Sequence, residues 1–383
     1  MNTPIDKLLR PTWVEISLSK LRRNYERIRR LAGHRKVMAV IKADAYGHGA
    51  VAVARCLAGC GVNWFGLATV EEALELRSAG IKQPILLLGG LYMSDPADLI
   101  EYQITPSVSS TARLGTYAEC ARRHGRQIEF HLKVDTGLGR LGVPPDRLTA
   151  FLEHYRTLDG VRLTGLFTHL ASAEDLVGSQ THEQGQRYRA ALAQLNSAGI
   201  TPEWTHISNS AALLARYDFP ENLVRIGGLL YGYCVPLLVP AGAAQPEIPE
   251  FEPALTFKSR VVYLKDVASG TPLGYGGSFH TRRPSRIATV PVGYADGLNR
   301  ALSNRGHAIV RGGLAPLVGT VSMDLSVLDV TDIPGVNVGD EVTLLGQSEG
   351  ATITALDIAQ MLDTVPYEVL CLIGKRVPRL YVD

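Results

Sequence analysis

The chain has 383 residues, of which 46% are hydrophobic and 20% charged, and its formal net charge is +2. This length is too great for one small core, so we expect about two domains. The charge is spread along the chain without a block of lysine and arginine, which argues against a nucleic-acid-binding or membrane-surface protein.

Two features bear on location. The first residues, MNTPIDKLLRPTW, contain no apolar core of a signal peptide. The uncharged stretch 226–244 is interrupted by glycines and prolines, so we interpret it as a buried strand followed by a loop and not as a membrane span. Five cysteines without a CxxC pair fit a reducing cytoplasm, and Cys56 and Cys60 are better explained by packing than by a metal.

Through about residue 235, short apolar runs alternate with helical patterns. Leu18, Leu21, Tyr25 and Ile28 repeat at three to four residues, and Thr69 with Glu72 forms a capping box. The apolar runs include 36–43, 64–68, 85–89, 128–135, 163–170, 204–208 and 224–231. About eight such strand-helix units predict a TIM-type (β/α)8 barrel over residues 1–240.

The amino-acid composition changes at a Pro/Ala/Gly-rich stretch, 236–253, which is typical of a linker. Short β-rich segments with turn signals follow it, at 256–264, 286–292, 308–310, 325–330 and 341–345, with one helical pattern at 353–362. These predict a mostly-β second domain over residues 250–383.

Lys42 stands at the end of an apolar strand, in the segment VIKADAYGHG (40–49). In a barrel the carboxyl ends of the strands carry the active site. Partial desolvation there favours the neutral amine, which can form a Schiff base. A strand-end lysine that extends its ammonium to water explains the same residues equally well.

The segment VIKADAYGHG resembles the lysine motif of the alanine racemases, barrel-class enzymes that use pyridoxal 5'-phosphate. The resemblance implies that Lys42 binds the cofactor as a Schiff base and that Tyr46 contacts its phosphate. Further segments match in the same order along nearly the whole chain.

Two cations lie in the matching segment HLKVDTGLGRLG (131–142). The resemblance implies that Arg140 binds the substrate carboxylate, for which a guanidinium is suited by two parallel hydrogen bonds. It also implies that Lys133 matches a lysine that is carbamylated in many members and then supports Arg140.

The remaining barrel matches surround Arg225 in VRIGG (224–228). The resemblance implies that Arg225 faces the pyridine nitrogen and that His206 supports it. Arginine is always protonated, so the ring nitrogen must accept, which weakens the ring as an electron sink and suppresses transamination. By the same resemblance His169 lies against the catalytic tyrosine. Ser210 and the amides of Gly227 and Gly228 bind the phosphate.

In the second domain, PVGYADG (291–297) resembles the segment of the other catalytic base, which is then Tyr294. The resemblance implies that Tyr367 contacts the phosphate and that the amide of Met323, next to the supporting Asp324, meets the substrate carboxylate. Ser322 stands where some relatives have cysteine, a minor change because the implied contact is made by the backbone. Thr320 stands where they have arginine beside the entrance, which changes the entrance charge on which substrate preference depends.

The resemblance as a whole implies a cytoplasmic isomerase that interconverts L- and D-alanine with two bases, Lys42 and Tyr294 of the partner subunit. It implies a head-to-tail homodimer, no metal, and D-alanine production for peptidoglycan. A phenol is almost fully protonated at pH 7, so Tyr294 needs positive potential, for which His169 with His206 and Arg225 is the candidate source.

Three alternatives stay open. They are a racemase with a wider range that includes serine, a barrel-class amino-acid decarboxylase, and a non-enzymatic protein that binds pyridoxal phosphate. The chain has no Glu-Pro-Gly-Arg segment of the decarboxylase kind, and a non-enzymatic barrel would lack the second domain.

Overall fold

The computed structural model describes residues 9–383 except 235 and 245, so part of the segment examined for a signal peptide lies outside the described residues. The chain divides into two compact units. One comprises Leu21–Ala45 and Ala50–Glu252. The other combines Pro253–Asp383 with Tyr46–Gly49 and the described residues before Leu21.

The described strands of the chain, in order, are β1 Thr12–Ser17, β2 Lys36–Val40, β3 Trp64–Leu67, β4 Ile85–Leu87, β5 Ile104–Val108, β6 Ile128–Lys133, β7 Val161–Phe167, β8 Trp204–His206, β9 Leu223–Ile226, β10 Leu255–Arg260, β11 Tyr263–Val267, β12 Pro272–Leu273, β13 Phe279–His280, β14 Ser285–Val290, β15 His307–Val310, β16 Gly313–Pro316, β17 Ser326–Asp329, β18 Glu341–Ser348, β19 Ala351–Ile353 and β20 Arg379–Val382.

The helices are α1 Leu18–Ala32, α2 Ala50–Gly59, α3 Val70–Ser78, α4 Ala97–Glu101, α5 Thr111–His124, α6 Leu148–Tyr155, α7 Gln180–Ser197, α8 Ser210–Leu214, α9 Ala355–Leu362 and α10 Pro366–Cys371. None of those described is long and apolar enough to cross a membrane. The capping box of Thr69 and Glu72 opens α3 as expected, and the chain leaves this helix through Gly80 at φ +83°.

The first unit is a nearly closed barrel of eight parallel strands, in the order β8-β7-β6-β5-β4-β3-β2-β9, which confirms the predicted (β/α)8 fold. Between β8 and β9 the Arg225 N–H donates to the Ser208 carbonyl at 3.0 Å. Met38, Trp64, Leu86 and Leu223 form an apolar cluster within this unit. The interior is a packed core, as in other barrels of eight strands.

The second unit is mostly β, as predicted. Its largest sheet has the order β16-β15-β18-β10-β1-β20, with β19 beside β18. A separate sheet is ordered β11-β14-β17. One strand was expected over 256–264. The structure instead has two strands, Leu255–Arg260 and Tyr263–Val267, and the chain passes from one sheet to the other at the buried Val261.

The N-terminal strand differs from the expected domain boundaries, which assigned residues 1–240 to the barrel. β1 pairs antiparallel with β10, Val14 opposite Phe257, and parallel with β20. Both edges of β1 are therefore hydrogen-bonded within the second unit. Its partners follow it by more than 200 residues, and no local pattern reports such a pairing.

Candidate active site

Lys42 follows β2 at its carboxyl end, where the backbone makes an unusual turn. Ala43, Asp44 and Ala45 have φ of 52° to 54° with ψ of 46° to 52°, and Tyr46 continues at φ 53°. Left-handed helical geometry costs L-residues about 1–2 kcal/mol each. Strain of this kind is held in place by its surroundings and is concentrated at functional sites.

Arg225 is the centre of a buried polar cluster in the barrel, and its side chain leaves β9. Its Nη1 donates to the His206 carbonyl at 2.9 Å and to His206 Nδ1 at 3.1 Å. Its Nη2 donates to the carbonyls of Thr168 and Ile207 and to His169 Nδ1, at 2.7, 3.1 and 3.2 Å. Nε donates to none of the described residues, so one donor of the fixed guanidinium is left for a ligand.

The histidines around Arg225 are neutral. Burial, followed by the charges of Arg225 and Arg140, lowers the pKa of His169 to about 3. Burial and Arg225 also hold the pKa of His206 well below its usual value. Burial lowers the pKa of Arg225 itself only to about 10. The positive potential expected from His169 therefore comes from the guanidinium and not from an imidazolium.

His131 is a member of this cluster that the sequence did not single out. Its Nδ1 lies 2.9 Å from His206 Nε2, and burial lowers its pKa to about 3. A Cβ on Gly165 would lie 2.4 Å from the His131 ring. The register of β6 and β7 shifts between Phe130 and His131. Such bulges change the direction in which side chains point. A bulge is seen in the pairing of the strands and not in the sequence.

Lys133 ends β6 and is almost fully buried. Burial, followed by the charges of Arg225 and Arg140, lowers its pKa to about 8. A neutral amine is therefore accessible near physiological pH, as a lysine that reacts with an electrophile requires.

The loop that carries Arg140 is folded around Asp135. Its Oδ1 accepts hydrogen bonds from the amides of Gly137, Leu138 and Gly139 at 3.0, 3.0 and 3.1 Å. Arg140 is exposed, and within the described part of the chain its guanidinium makes no hydrogen bond or ion pair. The loop thus presents a cation for an external anion.

The predicted phosphate residues of the barrel lie together. Ser210 is the first residue of α8, and its Oγ accepts a hydrogen bond from the Gly227 amide at 3.2 Å. The hydroxyl proton of Ser210 then remains for an acceptor. Gly228 begins a 3₁₀ turn, Gly228–Tyr231, whose residues are all buried.

In the second unit, Tyr294 begins a 3₁₀ turn and is 42% exposed. Its N–H donates to the Ser322 carbonyl at 3.0 Å, and the Ala295 N–H donates to the Met323 carbonyl at 3.1 Å. The Met323 N–H bonds to none of the described residues, so it is free to bind a carboxylate. A Cβ on Gly293 would lie 2.2 Å from the Ser322 carbonyl oxygen, which explains the glycine before Tyr294.

An ion-pair cluster holds this turn, and the sequence analysis missed most of it. Asp296, whose side chain is fully buried, accepts from Arg10 at 2.6 and 3.0 Å and from Arg376 at 2.7 Å. Its Oδ2 also caps the Gly293 amide at 3.0 Å. Arg376 extends to the predicted supporting residue Asp324 at 2.5 Å. Arg10 could not be found from sequence, because it lies 286 positions from Asp296.

The two tyrosines expected at the phosphate, Tyr46 and Tyr367, are neighbours in the second unit. Their ring centroids lie 5.5 Å apart at an interplanar angle of 76°. Burial raises the pKa of Tyr46, and Tyr367 adds to that rise. The phenol of Tyr46 therefore stays protonated at neutral pH and can donate to an anion.

Two family models match most of the chain. The model of the alanine racemase N-terminal domain matches residues 16–235, and that of the C-terminal domain matches residues 254–381. The chain belongs to the alanine racemase family. It is 42% identical to alanine racemase 2 of Caldanaerobacter subterraneus subsp. tengcongensis, over 98% of this chain and 95% of that protein.

Solved alanine racemases share the fold over almost the whole chain. The enzyme of Clostridium difficile 630 superposes with a TM-score of 0.89 at 37% identity, covering 98% of this chain and 97% of that chain. The enzyme of Bartonella henselae, solved with covalently bound pyridoxal phosphate, superposes with a TM-score of 0.85 at 28% identity, covering 97% and 99%. The protein is therefore a pyridoxal-phosphate-dependent racemase, an isomerase.

The barrel residues of this alanine racemase suit an anionic cofactor. The pKa values of Lys133 and His169 are both lowered by the charges of Arg225, Arg140 and Lys42, after burial itself. Such a concentration of positive charge around the buried Arg225 is unfavourable without a compensating anion. A phosphate group and a substrate carboxylate would supply that anion.

Proposed function

We propose that the chain interconverts L- and D-alanine with two bases, Lys42 and Tyr294 of the partner subunit, on pyridoxal 5'-phosphate. The observation that carries the proposal is Arg225, whose terminal nitrogens are consumed by the protein while Nε is left. The cofactor, when bound, would supply the electron withdrawal that makes the Cα proton of alanine removable.

Each group of the barrel then has a specific task. Lys42 would hold the cofactor, and its amine would carry a proton on one face of the substrate Cα. Arg225, as a permanent donor, would require the pyridine nitrogen of a bound cofactor to be unprotonated and would so limit electron withdrawal. Arg140 binds the substrate carboxylate, since its guanidinium makes no bond to the described residues. Ser210, Gly227 and Gly228, with Tyr46 and Tyr367, bind the phosphate.

We assign the proton transfer on the other face of Cα to Tyr294. One base cannot easily reach both faces of Cα, so a second base is needed. Its exposure of 42% leaves the phenol available to a partner's barrel. A head-to-tail homodimer would place it there, because a two-fold interface repeats the same contact twice. The Met323 amide and His169 are the groups we assign beside it.

We further propose that Lys133 is carbamylated. A neutral amine attacks carbon dioxide at carbon and loses a proton, which leaves a carbamate anion. The pKa of about 8 provides the neutral amine, and Arg225 and Arg140 provide the countercharge. Carbon-13 NMR of protein equilibrated with labelled bicarbonate should show a carbamate signal that Lys133→Met removes. A spectrum unchanged by Lys133→Met would contradict this assignment.

One experiment tests the function directly. Purified protein is incubated with each L-amino acid, and the products are resolved on a chiral column. Alanine should be racemised fastest, and Lys42→Ala should be inactive. Borohydride should fix the cofactor to Lys42, and a peptide map that places it on another lysine would overturn the assignment.

Serine is the second substrate to examine. By the family resemblance Thr320 stands where some relatives carry arginine, and its hydroxyl bonds to Ser278 Oγ at 2.9 Å. The entrance therefore lacks the positive charge that an arginine at position 320 would place there, and this charge can affect which amino acids are accepted. Thr320→Arg should raise the preference for alanine over serine if this position acts at the entrance.

The physiological role we propose is supply of D-alanine for bacterial peptidoglycan, in the cytoplasm. The gene should restore growth of a bacterium that requires added D-alanine, and the Lys42→Ala form should not.

A further inference from the structure

The carboxylate of Glu72 contacts two separate structures. Its Oε2 accepts hydrogen bonds from the amides of Ala68 at 2.8 Å and Thr69 at 3.3 Å, as the N3 residue of the capping box of α3. Its Oε1 accepts a hydrogen bond from the amide of Ala43 at 2.6 Å. Ala43 directly follows Lys42 in the chain. A helix cap by itself needs only the first set of contacts.

The left-handed turn after Lys42 requires an anchor. Ala43 and Asp44 have positive φ, a geometry that L-residues avoid. Other contacts also hold the turn, among them the hydrogen bonds from the Ala45 amide to the Ile41 carbonyl at 2.9 Å and from the Ala50 amide to Asp44 Oδ1 at 2.7 Å.

Neither of these two hydrogen bonds involves the N–H of Ala43. Among the described residues, the Ala43 N–H has Glu72 as its acceptor. A hydrogen bond to an ionised carboxylate is about twice as strong as one between neutral groups. The carboxylate therefore fixes the first peptide of the turn, and with it the direction in which the Lys42 side chain leaves the strand.

We propose that Glu72 is a positioning residue for Lys42, which it orients through the Ala43 amide. The proposal rests on the proposed function in one respect, that Lys42 is the lysine that holds the cofactor. Helix capping is a second role of the same side chain. The experiment must separate the two roles, because loss of a cap alone would reduce stability.

The chain offers a pair of variants that makes this separation. Glu72→Asp keeps a capping box, as α9 shows, where Asp357 at N3 accepts from the Thr354 amide at 2.8 Å. The aspartate is shorter by one methylene and does not reach Ala43. Thr69→Ala removes the bond from the Glu72 amide to Thr69 Oγ1 but leaves the carboxylate in place. Glu72→Asp thus loses the hydrogen bond to the Ala43 amide, and Thr69→Ala loses one of the two hydrogen bonds of the capping box.

Hydrogen exchange and kinetics of the holoenzyme provide the measurement. Glu72→Asp should speed amide exchange in the peptide containing Ala43–Ala45 by about tenfold or more. Its kcat for alanine should fall about 10- to 100-fold, with a Tm close to that of the wild type. Thr69→Ala should speed exchange in the first turn of α3 and lower Tm, with kcat within about twofold of the wild type.

Two outcomes would overturn the proposal. One is wild-type exchange and wild-type kcat in Glu72→Asp. The other is an equal loss of kcat in Thr69→Ala, which would make the effect one of helix stability. Failure of the proposed function is distinguishable, because it would appear in the wild-type protein as a borohydride label absent from Lys42. The exchange rates still report on Glu72 in that case.

Discussion

Arg225 Nη1 donates a hydrogen bond to His206 Nδ1 at 3.1 Å. Arginine has no acceptor atom, so His206 Nδ1 must be unprotonated and its hydrogen lies on Nε2. His206 Nε2 then donates to His131 Nδ1. His131 in turn carries its hydrogen on Nε2, which is buried and has no partner among the described residues. The guanidinium thus fixes one tautomer along the whole row of rings.

Nitrogen-15 NMR of histidine-labelled protein tests this assignment. His131, His206 and His169 should all be neutral at pH 7, with an unprotonated Nδ1 and a protonated Nε2. The variant His131→Asn identifies one set of signals by its disappearance. A protonated Nδ1 on His206 would show that Arg225 does not make this hydrogen bond.

The same histidines should make stability depend on pH in the acid range. The pKa of His131 is about 3 in the folded state, against about 6.5 when unfolded. Between these values the unfolded chain binds protons that the folded chain does not. The contribution of the neutral histidine to the free energy of unfolding is therefore fully present above about pH 6.5. It falls with decreasing pH, by about 1.4 kcal/mol per pH unit for each such histidine.

Urea unfolding at pH 7, 6 and 5 measures this dependence. In His131→Asn the slope of unfolding free energy against pH should decrease by up to about 1.4 kcal/mol per unit. The slope, and not the stability at one pH, is compared, since the substitution also changes packing. Equal slopes for the two proteins would mean that His131 is already titrating normally in the folded state.

Asp296 should be required for the turn that carries Tyr294. Asp296→Asn leaves Arg10 and Arg376 without their shared charge, and breaking a buried pair costs about 3–5 kcal/mol. We expect about 3 kcal/mol by urea unfolding, since both arginines are partly exposed. The matched control is Asp332→Asn, which breaks the exposed pair with Arg283 at 2.5 Å. The control should cost under about 1 kcal/mol, and an equal loss in both would contradict the prediction.

Arg225→Glu should change the balance between reactions. A glutamate can let the pyridine nitrogen hold a proton, which strengthens electron withdrawal. Racemisation should fall while pyruvate, the product of transamination from alanine, should rise above the wild-type level. Pyruvate is measured with a coupled dehydrogenase and the racemisation rate on a chiral column. Normal turnover without pyruvate would show that Arg225 does not face the ring.

Mixed dimers should recover activity if the two bases come from different subunits. We expect Lys42→Ala and Tyr294→Phe each to be nearly inactive, and their subunits are allowed to exchange. A mixed dimer then has one site with both substitutions and one intact site. Random pairing at equal amounts makes about half of the dimers mixed, so about a quarter of the wild-type activity should return.

The control for this experiment is mass spectrometry, which shows whether exchange occurred. If Lys42 and Tyr294 acted within one subunit, every site in the mixture would keep one defect. Activity that stays at the single-variant level after confirmed exchange would exclude the shared site.

Local patterns in the sequence were enough to predict the barrel, the mostly-β unit and the capping box of α3. The alternation of apolar runs and helical faces repeats over short distances, so each strand-helix unit is visible by itself. The predicted residues His206, His169 and Arg225 do lie together. Strand β5, with Pro106 inside it, was not predicted, because its apolar run is short and contains a residue that strands avoid.

The tertiary structure decided the features that depend on distant partners. The assignment of β1 to the second unit depends on β10 and β20, and the clamp on Asp296 depends on Arg10 and Arg376. The sequence identified Lys42, but not the left-handed turn after it or its hydrogen bond to Glu72. The physical reason is that a segment's own residues determine its periodicity and propensity. Its strand pairing, its charge partners and the strain it can hold are determined by residues that only folding brings near.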